Sequence, residues 1–206
     1  MPQNSGVSNL FSPKSIAVIG ASRRTESVGG SLFSNLLYGG YQGILYPVNP
    51  NTESILGVRS YPEIRDVPGS VDLAVVIIPS TVIPKTLEAC GRKGIRHAIV
   101  ISAGFKEIGG EGIELEKALK KVVQKYHMRL IGPNCLGVIN TDPAVSMNAT
   151  FGRTMPKEGN IAFISQSGAL CTAVLDYAKG ENIGFSKFIS MGNKADINEN
   201  DLLLFL

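Results

Sequence analysis

Residues 15–30 read SIAVIGASRRTESVGG: a short run rich in apolar residues, a glycine at Gly20, a loop of small and basic residues, then a glycine pair opening an apolar-periodic stretch. A buried strand that turns through glycine into a helix leaves backbone N–H groups unpaired at the positive end of the helix dipole, an arrangement suited to phosphate. The spacing is not that of G-x-G-x-x-G. The next apolar run ends in YPVNP, so Asn49 and Pro50 stand where a dinucleotide site uses Asp or Glu on the ribose hydroxyls. NAD is therefore disfavoured, and a glycine turn that merely packs strand on helix is the competing reading of this stretch alone.

Outward from that turn, SIAVIG, ILYPVN, DLAVVIIP, HAIVIS and RLIGP read as strands. Continuous apolar runs fit strands buried on both faces, and the intervals between them suit crossover helices, so the class is α/β with a parallel sheet. Helical periodicity falls on VGGSLFSNLLYGG, TVIPKTLEACGRKG and GIELEKALKKVVQKY. In the last, Leu115, Leu119, Val122 and Val123 are expected to share the buried face, with Glu116, Lys120 and Lys121 pointing away. Residues 1–9 are polar and expected to fray. Between Asn140 and Gly159 the periodicity lapses around Pro143, Gly152, Pro156 and Gly159, which marks a domain boundary. A new strand (NIAFIS), a helix to about Lys179, a strand near FSKFIS and an apolar helix ending on Leu206 follow. That ending, without a stop signal, reads as a second domain cut short within a longer protein.

Composition narrows the function. Charged residues make up 18% and hydrophobic residues 44% of the 206, and the net charge of +3 is unclustered, without the basic stripe of a nucleic-acid binder. Cys90, Cys135 and Cys171 are widely spaced, and only two histidines could complete a metal site, so no bound metal is expected. No leader pattern opens the chain, and no apolar run approaches the ~18 residues of a membrane span. A cytoplasmic protein is the expectation.

Further turns end the later strands: Pro79 and Ser80, Ser102 to Phe105 (SAGF), and Gly132 to Cys135 (GPNC). In an open parallel sheet these meet at the carboxyl edge, where ligands bind. In FISQSGAL, residues 163–170, small polar residues again lead from a strand into a helix. Ser167 is not a hydrolase nucleophile, because Ser165 and Ala169 occupy the positions where the elbow needs glycine and no histidine follows His127. Cys135 lacks a paired base and reads as a small buried residue.

The ordered set SIAVIGASRRTESVGGSLFSNLLYGGYQGILYPVNPN, DLAVVIIPS, VISAGFKEIGGEG, IGPNCLGVIN, ISQSGAL and MGNKADINENDLL resembles the N-terminal half of the ADP-forming acetyl-CoA (acyl-CoA) synthetases, relatives of the succinyl-CoA synthetase alpha subunit. The resemblance implies a Rossmann-like CoA-binding domain over residues 8–142 and the truncated beginning of a flavodoxin-like, succinyl-CoA-synthetase-like ligase domain over 157–206. It implies CoA against Gly20, Ala21, Ser22, Val28 and Gly29, with Val48, Asn49 and Pro50 near adenosine. Pro79 and Ser80 would border the pantetheine arm, and Ser102, Ala103 and Gly104 would approach the thiol. Family members often carry Lys after the Asn-Pro pair; this chain has Asn51, and Arg23 or Arg24 could meet the CoA phosphates instead. A carboxylate at position 29 would block the pyrophosphate's approach.

By the same resemblance, Gly132 to Cys135 and Ser167 with Gly168 would open two helices facing one phosphate, with Asn134, Cys135, Ser167 and Gly168 as its site. That phosphate travels on a histidine. His97 and His127 both start strands, at the edge opposite the ligand turns and ~17 Å away, so the phosphohistidine is expected beyond Leu206. The implied parent interconverts acyl-CoA, ADP and phosphate with acid, CoA and ATP. Magnesium and ATP or ADP would sit in a separate ATP-grasp domain or beta subunit, in an assembly expected to be oligomeric. The alternative is the regulatory CoA-binding region of a synthetase-like protein lysine acetyltransferase. A stand-alone CoA-binding regulator would end before Asn160.

Overall fold

The structure is a computed structural model that describes residues 6–152 and 155–206. Its elements run α1 (Ser8–Phe11), β1 (Ser15–Ile19), α2 (Val28–Tyr38), β2 (Ile44–Val48), a small hairpin of β3 (Ser54–Ile55) and β4 (Val58–Arg59), then β5 (Leu73–Val76), α3 (Ile83–Arg92), β6 (His97–Val100), α4 (Glu111–Lys125) and β7 (Arg129–Ile131). β8 (Gly137–Asn140), β9 (Met147–Thr150), β10 (Lys157–Ser165), α5 (Gly168–Gly180), β11 (Gly184–Ser190) and α6 (Glu199–Leu203) complete the chain.

Five strands form a parallel sheet in the order β2-β1-β5-β6-β7. Ser15 pairs with Ile44 and Ile16 with Leu73, so β1 lies between β2 and β5. The strand order reverses there, and the crevice at the carboxyl ends of such a pair is where open α/β sheets take ligands. β1 and β5 are buried along their whole lengths, which accounts for their unbroken apolar sequences. One face of the sheet packs Ala17, Ala74, Ala98 and Val100 against Leu87, Leu119 and Val123 of α3 and α4.

The other face joins a core that reaches well beyond the sheet. Ile16, Val75 and Ile99 cluster with Leu32 and Phe33 of α2, with Val138, Met147 and Ala149 of β8 and β9, and with Ile189 of β11. A second sheet, β10-β11-β8-β9, therefore shares its core with the first. β10 runs parallel to β11, while β8 is antiparallel to both β11 and β9. On its far side Phe188 stacks on Phe163 at 4.6 Å and meets Phe185 edge-on at 5.2 Å, over Cys171 and Leu175 of α5. β10 is the outer strand of this sheet, and its Ile161 is 46% exposed.

Several sequence expectations change here. Residues 1–5 of the segment expected to fray lie outside the described residues, but Val7 within it is fully buried, beside Leu10 and Phe11 of the following helix. The stretch read as unpatterned contains β9, whose Asn148 and Thr150 are buried, Thr150 Oγ1 donating to Asn148 Oδ1 at 2.7 Å. Side-chain pairing of this kind lowers the cost of burying polar groups, and polar residues in a buried strand hide it from a hydropathy reading. The last helix is five residues long.

Glu116 does not point away. It sits on the stripe of Gly112, Leu119 and Val123, spaced three and four apart, and is 3% exposed. Lys120 Nζ and Lys106 Nζ lie 3.2 and 3.5 Å from its carboxylate.

GPNC opens no helix. Gly132 (φ +96°) and Asn134 (φ +58°) are left-handed, the Gly132–Pro133 peptide is cis, and the chain passes directly into β8. A residue in the left-handed region cannot be the first turn of a right-handed helix. The turn from β1 to α2 does form as read. A Cβ built on Gly29 would stand 2.0 Å from the Gly20 carbonyl oxygen, so a side chain at 29 would meet main chain before it met any ligand.

Two stability predictions follow from this packing. Gly29→Ala should destabilise the chain by about 1–3 kcal/mol, as overpacking does, and Phe188→Ala by about 3–5 kcal/mol. Urea unfolding followed by circular dichroism measures both; an unchanged midpoint for either variant would contradict the corresponding contact.

Candidate functional site

The strand-end turns converge as their shared direction requires. A cleft of about 880 Å³ opens at the carboxyl edge between the two sheets. Ile77, Ile78 and Pro79 after β5, Ser102 and Ala103 after β6, and Asn134 and Cys135 after β7 line one wall. Val28 at the start of α2 and Ser167, Gly168 and Ala169 at the start of α5 line others. Two helix N-termini thus border one cleft, but the partner of α5 is α2, where the sequence reading had placed a helix at GPNC.

Both ends retain free donors. On α2, Ser27 Oγ accepts from Gly30 N at 3.2 Å, leaving Val28 N and Gly29 N without a protein partner among the described residues. On α5, Ser167 Oγ accepts from Leu170 N at 3.2 Å, leaving Gly168 N and Ala169 N in the same condition. Unpaired first-turn amides at a positive dipole end attract anions, and each dipole contributes roughly 0.3–1 kcal/mol when exposed. Ser165 Oγ accepts the Ser167 N–H at 3.1 Å, so the turn before α5 is held by side chains while its helix amides face outward.

A second cavity of about 450 Å³ adjoins the first across Ile78. Gly20, Val48, Asn49, Pro50 and Ile64 line it, together with Lys85 and Thr86 of α3. Asn49 bonds main chain on both sides: Nδ2 donates to Ala21 O at 2.8 Å and Oδ1 accepts from Asn51 N at 2.8 Å. It ties the β1 turn to the end of β2 and offers no carboxylate for a ribose. Arg23 lies in a neighbouring basin with Asn51 and Arg59, its Nε donating to Ser54 O at 3.0 Å. Arg24 is exposed, its N–H held by Ser22 Oγ at 3.1 Å.

Of the residues singled out in the sequence, Val28, Pro79, Ser102, Ala103, Asn134, Cys135, Ser167 and Gly168 line the large cleft, and Gly20, Val48, Asn49 and Pro50 the smaller one. Ala21, Ser22, Ser80 and Gly104 form the turns behind them, and Gly29 lies in the first turn of α2. A Cβ on Gly104 would come within 2.6 Å of Ser80 Oγ, so these two turns touch. Gly104 N does not face the cleft freely: with Phe105 N it donates to Glu107 Oε1, at 2.6 and 3.1 Å. Burial pulls the Glu107 carboxyl upward, but the hydrogen bond from Asn193 and those two amides outweigh it and hold it below the usual range.

Cys135 lines the cleft but is 5% exposed. Its thiol donates to Val100 O at 3.3 Å, and burial pushes it up to about 12, so it is no nucleophile near neutral pH. Cys90 is likewise raised to about 12 by burial. His97 bonds Gly6 O through Nε2 at 2.8 Å, and His127 sits in the turn after α4, both at the amino edge of the sheet. Gln166, in the FISQSGAL turn, also lines the large cleft, while sequence reasoning missed Phe151 and Thr172 there and Lys85 in the small one. Only Lys85 carried a signal, as a cation in the first turn of the helix that follows Pro79. Among the described residues no group of His, Cys, Asp and Glu could hold a metal ion, and no helix is long and apolar enough to cross a membrane.

Comparison with known proteins adds to this geometry. The chain is 49% identical over 197 residues to the ADP-forming acetate–CoA ligase I of Archaeoglobus fulgidus, covering 96% of this chain and 28% of that protein. It is 47% identical over 198 residues to subunit alpha of the ADP-forming acetate–CoA ligase II of Pyrococcus furiosus, covering 96% and 42%. Among solved structures, the dinucleotide-forming acetyl-coenzyme A synthetase 1 of Ca. Korarchaeum cryptofilum, in complex with phosphate and ADP, matches with a TM-score of 0.92 at 43% identity, over 98% of this chain and 42% of that one. The chain therefore spans less than half the length of these relatives. Residues 158–206 match the family described as succinyl-CoA ligase like flavodoxin domain. Residues 14–141, well over half of the chain, match the family described as CoA binding domain, and to that family this protein belongs.

Proposed function

We propose that this chain is the CoA-binding portion of an ADP-forming acyl-CoA synthetase. The complete reaction interconverts acyl-CoA, ADP and phosphate with acid, CoA and ATP by way of an acyl phosphate and a phosphohistidine. The observation that carries the proposal is one cleft bordered by the unpaired first-turn amides of two helices, α2 and α5, beside a second cavity that shares Ile78 with it. A nucleotide followed by an extended arm and a separate anion site fits that shape; a dinucleotide does not need the last part.

In this reading residues 8–142 hold CoA and residues 157–206 begin the ligase unit. Val48, Asn49 and Pro50 would receive adenosine, with Gly20, Ala21 and Ser22 shaping the turn. Val28 N and Gly29 N would donate to the pyrophosphate, with Arg23 nearby as a charged donor. Pro79 and Ser80 would flank the pantetheine arm, and Ser102, Ala103 and Gly104 would shape the end that receives the thiol. Asn134, Ser167 and Gly168, with the main chain of Cys135, would hold the phosphate that displaces CoA. The histidine, the ATP-grasp part with its magnesium and nucleotide, and the partner subunit or domain belong to the longer protein, as does any oligomeric assembly. CoA and ADP as substrates fit the cytoplasm expected from the sequence.

Isothermal titration of this chain with CoA, desulfo-CoA and NAD tests the proposal. CoA and desulfo-CoA are expected to bind alike, because the free thiol adds little to affinity, and both at least ~10-fold tighter than NAD, a difference of about 1.4 kcal/mol. Heat from NAD with none from CoA would refute it.

A further inference from the structure

Asn193 lies outside the cleft, in the loop after β11, yet it is 6% exposed and bonds to the segments that follow two of the wall's strands, β6 and β7. Its Nδ2 donates to Glu107 Oε2 at 2.5 Å and to Glu116 Oε2 at 3.1 Å, which uses both amide hydrogens. Its Oδ1 accepts from Asn134 Nδ2 at 3.4 Å. Its backbone N–H donates to Pro133 O at 2.8 Å and its carbonyl accepts from Lys106 Nζ at 2.5 Å. Glu107 in turn holds the N–H groups of Gly104 and Phe105, and Asn134 N donates to Ser102 O at 3.0 Å.

The chemistry of this cluster is specific to an amide at position 193. Two carboxylates, Glu107 and Glu116, converge there, and two ammonium groups, Lys106 and Lys120, balance them from the solvent side. Asn supplies two donors to the carboxylates and one acceptor to Asn134. An Asp would supply no donor and add a third negative charge, while an Ala would leave the buried Glu116 oxygen short of a partner.

We propose that Asn193 is a positioning residue for CoA: it clasps the Ser102–Phe105 turn to the Gly132–Asn134 turn and so fixes the part of the cleft that receives the thiol end. This rests on the CoA reading above. Because the clasp is far from the slot lined by Val48 and Asn49, its loss should act on the arm of the ligand and spare the nucleotide.

The experiment compares the unsubstituted chain, Asn193→Ala and Glu107→Gln by isothermal titration with CoA and with adenosine 3′,5′-bisphosphate, and measures amide hydrogen exchange at Gly104 and Phe105. Asn193→Ala is expected to weaken CoA on the order of tenfold, the scale of losing a hydrogen bond to a charged group. Adenosine 3′,5′-bisphosphate should stay within about twofold, below the scale of one hydrogen bond, and the two amides should exchange faster. Glu107→Gln keeps an oxygen for those amides but turns an N–H toward Asn193 Nδ2. It should show the same selective loss, and it decides the matter if Asn193→Ala does not fold. Equal weakening of both ligands would reveal a merely structural role, and unchanged CoA affinity in both variants would overturn the proposal. Absence of CoA binding in the unsubstituted chain would remove the functional reading and this inference together.

Discussion

A ladder of main-chain hydrogen bonds between residues 191–197 and their neighbours holds the rest of the molecule in place. Met191 N donates to Ser165 O, Asn193 N to Pro133 O, Ala195 N to Gly132 O and Ile197 N to Leu130 O. The last three extend the edge of β7 with an irregular strand from the far side of the chain; the first anchors that strand to the end of β10. Without this seam the two sheets would meet only through side chains, and the cleft between them would lack one wall. Arg129 reinforces it, its Nε 3.1 Å from Asp196 and its Nη2 3.0 Å from Asp201, in a setting only partly open to water.

Residues 140–159, where the periodicity lapses, hold β9 and the start of β10. β8 lies in sequence beside the first sheet but pairs with β11, which arrives after a further strand and helix. Such long-range pairing has no local signature, because each strand's partner is chosen by what else is available to cover it. What was legible were the parallel strands, since burial on both faces forces long β-branched runs, and the turns that end them, since those must be small. The carboxyl edge, and with it most of the candidate site, follows from those two facts.

The illegible parts have physical causes of their own. Glu116 occupies a core position, and hydropathy alone sends such a residue outward; only the arrival of Asn193, Lys106 and Lys120 makes its burial tolerable. Gly132 and Asn134 look like a helix opening because small and amide residues favour caps, but their left-handed backbone turns the chain away from helix. Phe151 and Thr172 reach the cleft through the second sheet's placement, which no spacing announces.

The outer margin of β10 carries a different implication. Its N–H and C=O groups on that side have no strand beside them among the described residues, and Ile161 and Ala162 are exposed along it. An open, apolar strand margin is a template on which another chain can zip. Lys157 and Glu158 put charge only at its beginning. Concentrated solutions of this chain therefore carry a built-in route to edge-to-edge self-association, and a charged side chain at position 161 is the change that would block it.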